Sequence, residues 1–134
     1  MIRASVALYR EALVALLILA TALQVLPESG LIAYSDEVTT ARSWNSFEAW
    51  LPYEGILAVW ILAIVLLLAG ILGALVFWRP ARWMLVGMLF IQVACTPFLG
   101  LTVMSPFEAM LNSGASIILI WVVTVSFFSP LAER

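Results

Sequence analysis

Long apolar stretches separated by short charged ones are the dominant pattern of this chain. Between successive charged residues run Ala12–Pro27, Gly55–Trp78, Trp83–Phe107 and Ala109–Ala132. A bilayer core of about 30 Å is crossed by roughly 20 helical residues, and three of the four runs are long enough for that. No water is present in hydrocarbon to satisfy backbone amides, so such a segment closes its hydrogen bonds within itself, as a helix. The pattern predicts four spans at about residues 5–26, 52–77, 80–103 and 106–128, with an outer loop over 28–51. The expected fold is all-α, an integral membrane four-helix bundle forming a single domain over residues 1–134.

Proline marks the boundaries. Pro27 and Pro130 follow expected helix ends, because a proline ring disfavours helix in the residue before it. Pro52, Pro80 and Pro106 suit a first helical position, where the missing N–H costs nothing. Ser105-Pro106-Phe107-Glu108 reads as a capping box, with Ser105 as the cap and Glu108 reaching back to it. Pro97, inside the third span, should kink that helix and release the carbonyl of Val93.

The outer loop is too polar to span and too aromatic for a simple linker. Val38, Ala41, Trp44, Phe47, Trp50 and Leu51 recur at three- to four-residue spacing, while Thr39, Arg42, Asn45, Ser46 and Glu48 fall largely on the other side. This predicts an amphipathic helix, capped by Ser35 or Asp36, with its aromatic face at the headgroup boundary. Such a helix is either a lid over the outer end of the bundle or a contact surface for a partner protein or lipid, made by Trp44, Phe47 and Trp50.

Charge orients the chain. Its six basic residues are all arginine, and its eight acids leave a net charge of −2. Arg3, Arg10, Arg79, Arg82 and Arg134 share one side of a four-span arrangement; the other holds Arg42 with Glu28, Asp36, Glu37, Glu48, Glu54 and Glu108. Cytoplasmic loops carry the arginine excess, so both termini are expected in the cytoplasm. Trp78, Trp83, Tyr9 and Phe127 then mark the inner interface, and Tyr34, Trp44, Trp50 and Tyr53 the outer one. A competing reading treats Arg3 and Arg10 as the head of a signal peptide cleaved near Ala20-Thr21-Ala22. The apolar pattern continues past Ala22 to Leu26, which favours a retained helix.

With 65% apolar residues, the chain is far above the usual share for a soluble domain. No basic patch is large enough for nucleic acid. There is no histidine, and a single Cys95 provides neither a disulfide framework nor a metal-ligand set. No Ser–His pair or glycine-rich phosphate loop is present. No catalytic residue, cofactor or metal is expected, and an enzyme is not.

No charge falls deep inside the last three spans, which argues against a coupled transporter. Glu11 lies beside Arg10 near the membrane edge, where both can snorkel to water. Weaker polar groups do cluster. Gln92, Thr96 and Gly100 form one stripe of the third span; Thr21 and Gln24 lie on the outer half of the first, and Asn112, Ser113 and Ser116 on that of the fourth. They either hydrogen-bond between helices or line a small polar cavity of Gln24, Gln92, Thr96 and Asn112, rimmed by Glu54 and Glu108. Ala69, Gly70, Gly73 and Ala74, and likewise Ala109, Ser113 and Ser116, are small-residue faces suited to close helix contact.

Phe77-Trp78-Arg79-Pro80-Ala81-Arg82, Thr96-Pro97-Phe98-Leu99-Gly100 and Phe128-Ser129-Pro130-Leu131 with Glu133-Arg134 resemble a loose group of small, uncharacterised bacterial inner-membrane proteins with four spans. The resemblance implies a bacterial cytoplasmic-membrane location and no particular activity. The small multidrug exporters are similar in length and span number, but they use a membrane-embedded glutamate in the first helix. Glu11 lies too near the edge to match it, and the long outer loop departs from their pattern. The expected function is an accessory or assembly subunit that contacts another membrane protein, a second copy of itself or lipid; the alternative is a small exporter or channel-forming homo-oligomer.

Overall fold

Each apolar run closes into one long helix. The computed structural model describes residues 5–29, 35–42, 50–98 and 104–128, of which 87% are helical and none is in a strand. The order is α1 (Val6–Val25), a short α2 (Asp36–Arg42), α3 (Tyr53–Leu75), α4 (Arg79–Cys95) running into a 3₁₀ turn (Thr96–Phe98), and α5 (Pro106–Phe128). Four of these segments, with α4 and its 3₁₀ turn counted as one, are long and apolar enough to cross a membrane.

The termini follow local chemistry. Ser5 caps α1, its Oγ accepting the Leu8 N–H at 3.1 Å. The capping box at α5 forms in both directions: Glu108 Oε2 accepts the Ser105 N–H at 2.7 Å, and Ser105 Oγ accepts the Glu108 N–H at 3.2 Å. Pro106 opens α5, whereas Pro52 is the cap residue of α3 and Pro80 lies one place inside α4. At Pro97 the α-helical ladder gives way to the 3₁₀ turn, because this ring has no N–H to offer.

α3 ends in a Schellman motif, with the Trp78 N–H on the Gly73 carbonyl at 2.8 Å and the Phe77 N–H on that of Ala74 at 3.1 Å. The left-handed residue this requires is usually glycine; here it is Phe77, at φ 57°.

α3 packs most extensively on α4 and α1 on α5, with thinner contacts of α4 on α5 and α1 on α3. The buried cluster draws on all four long helices through Tyr9, Leu13 and Leu16, Ile71 and Ala74, Ala81 and Leu85, and Leu119, Val122 and Val125. These residues lie in the first part of α1 and α4 and the last part of α3 and α5. The core therefore occupies the end that carries Arg10, Arg79 and Arg82, the arginine end. Toward the opposite, carboxylate end, Trp60, Ile61, Phe90, Val93, Phe107 and Met110 are exposed.

α2 covers the start of the expected loop helix, with the Thr39 N–H on the Ser35 carbonyl. Trp44 and Phe47 lie outside the described residues. Trp50 is not helical; its N–H bonds the Phe98 carbonyl at 3.2 Å and its ring meets that of Phe98 edge-on at 6.3 Å. It sits against the end of α4 and remains 83% exposed.

Candidate functional site

The polar residues of the spans are taken up mainly by helix carbonyls and by one another. Gln92 donates through Nε2 to Ser116 Oγ at 2.8 Å, and Ser116 donates to the Asn112 carbonyl at 2.9 Å. Thr96 donates to the Gln92 carbonyl. This chain links α4 to α5 and brings Gln92, Thr96 and Asn112 together. Gln24 is exposed on the last turn of α1, and Glu54 is exposed on the first turn of α3. Glu108 is buried in its capping box. Of the six polar residues singled out from the sequence, three thus share one network and three stand apart.

Another constellation forms at the arginine end, where the last turn of α3, the first turns of α1 and α4, and the last turn of α5 converge. Tyr9 stacks on Phe77 with ring centroids 6.2 Å apart and planes 20° from parallel. The Arg10 guanidinium lies over the same Phe77 ring at 5.4 Å. Arg82 lies over Phe127 at 5.6 Å, and Trp83 meets Phe127 edge-on at 5.1 Å.

Tyr9 and Ser126 hydroxyls are 2.6 Å apart and buried. Ser126 has one hydroxyl proton, which goes to the Val122 carbonyl at 2.7 Å. Donor counting then makes Tyr9 the donor to Ser126. Among the described residues no buried side-chain polar atom lacks a partner.

Between Tyr9, Ala74, Phe77, Trp78, Arg82 and Ser126 is a cavity of ≈ 20 Å³. A cavity needs roughly 10–15 Å³ of such space for one water, so this one admits a water and little more. An open surface hollow lies beside Asp36, Glu37, Thr40 and Ala41 on α2. Among the described residues no three Cys, Asp or Glu side chains come together in a metal-holding group.

Sequence reasoning placed Tyr9, Phe127, Trp78 and Trp83 at the inner interface as separate anchors and missed that Tyr9 pairs with Ser126. The available signal was spacing. Tyr9, Leu13 and Leu16 lie at i, i+4 and i+7, and Leu119, Val122 and Ser126 share the matching face of α5.

Comparison with protein-family models, with characterised proteins and with solved structures returns no match.

Proposed function

We propose that the chain is a small multi-pass protein of a bacterial cytoplasmic membrane, a four-helix bundle with both termini in the cytoplasm, that acts without catalysis as an accessory or assembly subunit. Its contacts are made with another membrane protein or with lipid through the outer, carboxylate-end halves of the helices. One observation carries this reading. The largest buried cluster gathers toward the arginine end, with Ala63 also buried toward the other, where Trp60, Ile61, Phe90 and Val93 face outward; Leu72, Val76 and Trp83 face outward at the arginine end as well. Membrane helices associate by close packing and interhelical hydrogen bonds; the half that packs loosely within the chain retains surface for a neighbour. Trp50, exposed beside Phe98, extends that surface into the outer loop.

Photo-crosslinking residues at Trp60, Phe90 and Leu13 test the assignment in intact cells. Adducts to a different membrane protein are expected from positions 60 and 90 and none from the buried position 13. Adducts at 60 and 90 to copies of this chain alone, together with ion or drug flux in liposomes that Gln92→Leu or Thr96→Val abolishes, would replace the assembly role with a channel or exporter. A reporter fused at Arg134 that is active only outside the cytoplasm would reverse the orientation.

A further inference from the structure

We infer that water enters the carboxylate-end half of the seam between α4 and α5 and completes the hydrogen bonding of the Gln92 and Asn112 side-chain amides. The inference rests on the membrane reading above and goes beyond it, since it concerns the inside of the bundle and needs no neighbour.

Both amides lie on core faces of their helices. Gln92 follows buried Leu85 by seven residues and buried Ala81 by eleven, which is one face of α4. Asn112 follows buried Glu108 by four residues and precedes buried Leu119 by seven, which is one face of α5. Ser116 ties the two together: it accepts from Gln92 Nε2 at 2.8 Å and donates to the Asn112 carbonyl at 2.9 Å.

That link leaves most of the amide capacity unused. A side-chain amide has two N–H donors and a carbonyl acceptor. Gln92 commits one N–H. Among the described residues, its carbonyl oxygen, its second N–H and the whole Asn112 amide have no partner. Every enclosed side-chain polar atom among the described residues is hydrogen-bonded, and both residues are half-buried. The unmatched atoms are therefore ones that a molecule the size of water reaches.

Depth selects the occupant. Gln92 precedes Phe98 by six residues and Asn112 follows Pro106 by six, about 9 Å of helix at 1.5 Å per residue. An asparagine side chain is too short to carry its amide that far to the interface. Acyl chains offer no hydrogen bond, and an unmatched polar group among them is costly. A neighbouring helix would meet the outward residues Val93, Met110 and Ile117 instead. Water supplies both donors and acceptors, and two amides joined through Ser116 give it the several polar partners it needs. Packing leaves room for entry, because α4 contacts α5 thinly and the largest buried cluster lies toward the arginine end.

The test uses the full chain in nanodiscs, with the native Cys95 as the probe. Cys95 is half-buried and lies three residues beyond Gln92 toward the carboxylate end. The thiolate is the reacting form of a thiol, and apolar surroundings suppress it. A charged, membrane-impermeant methanethiosulfonate should modify Cys95 about tenfold faster than the outward-facing thiol of a chain carrying Met110→Cys and Cys95→Ala. Gln92→Leu with Asn112→Leu should slow Cys95 by about tenfold, roughly the worth of one unmade hydrogen bond in a buried place. Gln92→Asn with Asn112→Gln keeps both amides and should keep the rate; a loss there would assign the effect to packing and overturn the inference. Equal rates at Cys95 and position 110, or an unchanged rate in the double leucine chain, overturn it as well. Modification of Cys95 by a lipid-soluble maleimide but not by the charged reagent gives the seam to acyl chains. Release of the native chain from both nanodiscs and cell membranes by an alkaline wash would instead sink the membrane reading, a result distinct from all of these.

Discussion

A methyl group added to Gly70, toward the arginine end, would lie 2.7 Å from Leu85 Cδ2 and 3.4 Å from the Leu85 backbone nitrogen; one added to Gly114, toward the other end, would lie 4.0 Å from Leu19. The contrast extends along the helices. Gly73 approaches Ala81 and Trp78 as closely as Gly70 approaches Leu85, whereas Gly55 and Gly87 have ordinary 3.5 Å neighbours. The helices are cinched at one end by glycine, alanine and a buried hydroxyl pair, and fit more loosely toward the other. In lipid, burying a leucine gains little transfer energy because the acyl chains are as apolar as the core, so close packing and hydrogen bonds have to hold helices together. The arginine end has both. The other end has the Gln92–Ser116 bond and less intimate packing.

The largest test of this contrast is steric. Gly70→Leu should destabilise the chain by about 3 kcal/mol, at the upper end of overpacking costs, because both side-chain and backbone atoms of Leu85 stand in the way. Gly87→Ala and Gly114→Ala should each stabilise by up to about 1 kcal/mol, since alanine is the better helix former and the added methyl meets only ordinary van der Waals neighbours. Denaturant midpoints in mixed micelles measure all three. A loss at Gly114→Ala equal to that at Gly70→Leu would mean that the two ends are packed alike.

Four long apolar helices, the capping box at Ser105 and Glu108 and the small-residue face of α3 were all legible in the sequence, because each depends on local chemistry; at Pro97 the sequence predicted a kink within a longer helix, whereas the α-helix ends at Cys95 and passes into a 3₁₀ turn. The placement of the core was not. In water, apolar positions mark the inside; here Leu13 is fully buried and Leu57 is exposed, yet both are leucines in apolar runs, and periodicity cannot separate them. Pairings across the fold were equally hidden. Nothing local says that Gln92 meets Ser116 or that Tyr9 meets Ser126. Trp50 shows the opposite failure: helical spacing placed it on an amphipathic face, while the structure folds it non-helically against Phe98.

A second test asks whether the arginine end stores strain to hold its aromatic cluster. Phe77→Ala removes the stack on Tyr9 and the support of Arg10 but keeps a side chain at φ 57°. Phe77→Gly removes the same contacts and also relieves the backbone. The glycine variant should therefore be the more stable of the two by about 1 kcal/mol, and both should be less stable than the native chain. A glycine variant more stable than the native chain would show that the ring adds less than the strain removes.

The smallest effect concerns the hydroxyl pair, and there the order of variants carries the argument. Tyr9→Phe deletes a donor, but Ser126 keeps its bond to the Val122 carbonyl, so nothing is orphaned and the cost should be about 0.6 kcal/mol, the average for hydrogen bonds between membrane helices. Gln92→Leu at the looser end should cost the same, because Ser116 still donates to Asn112. Ser126→Ala differs, since it strands the buried Tyr9 hydroxyl, whose desolvation is worth about 1–3 kcal/mol. The adjacent cavity has room for one water, which returns part of that cost and sets the expectation at about 1 kcal/mol. Adding Tyr9→Phe to Ser126→Ala should then restore stability, because it removes the stranded group. If Tyr9→Phe proves the costlier single change and the pair is merely additive, the proton runs from Ser126 to Tyr9, and the donor order derived from the Val122 carbonyl is wrong.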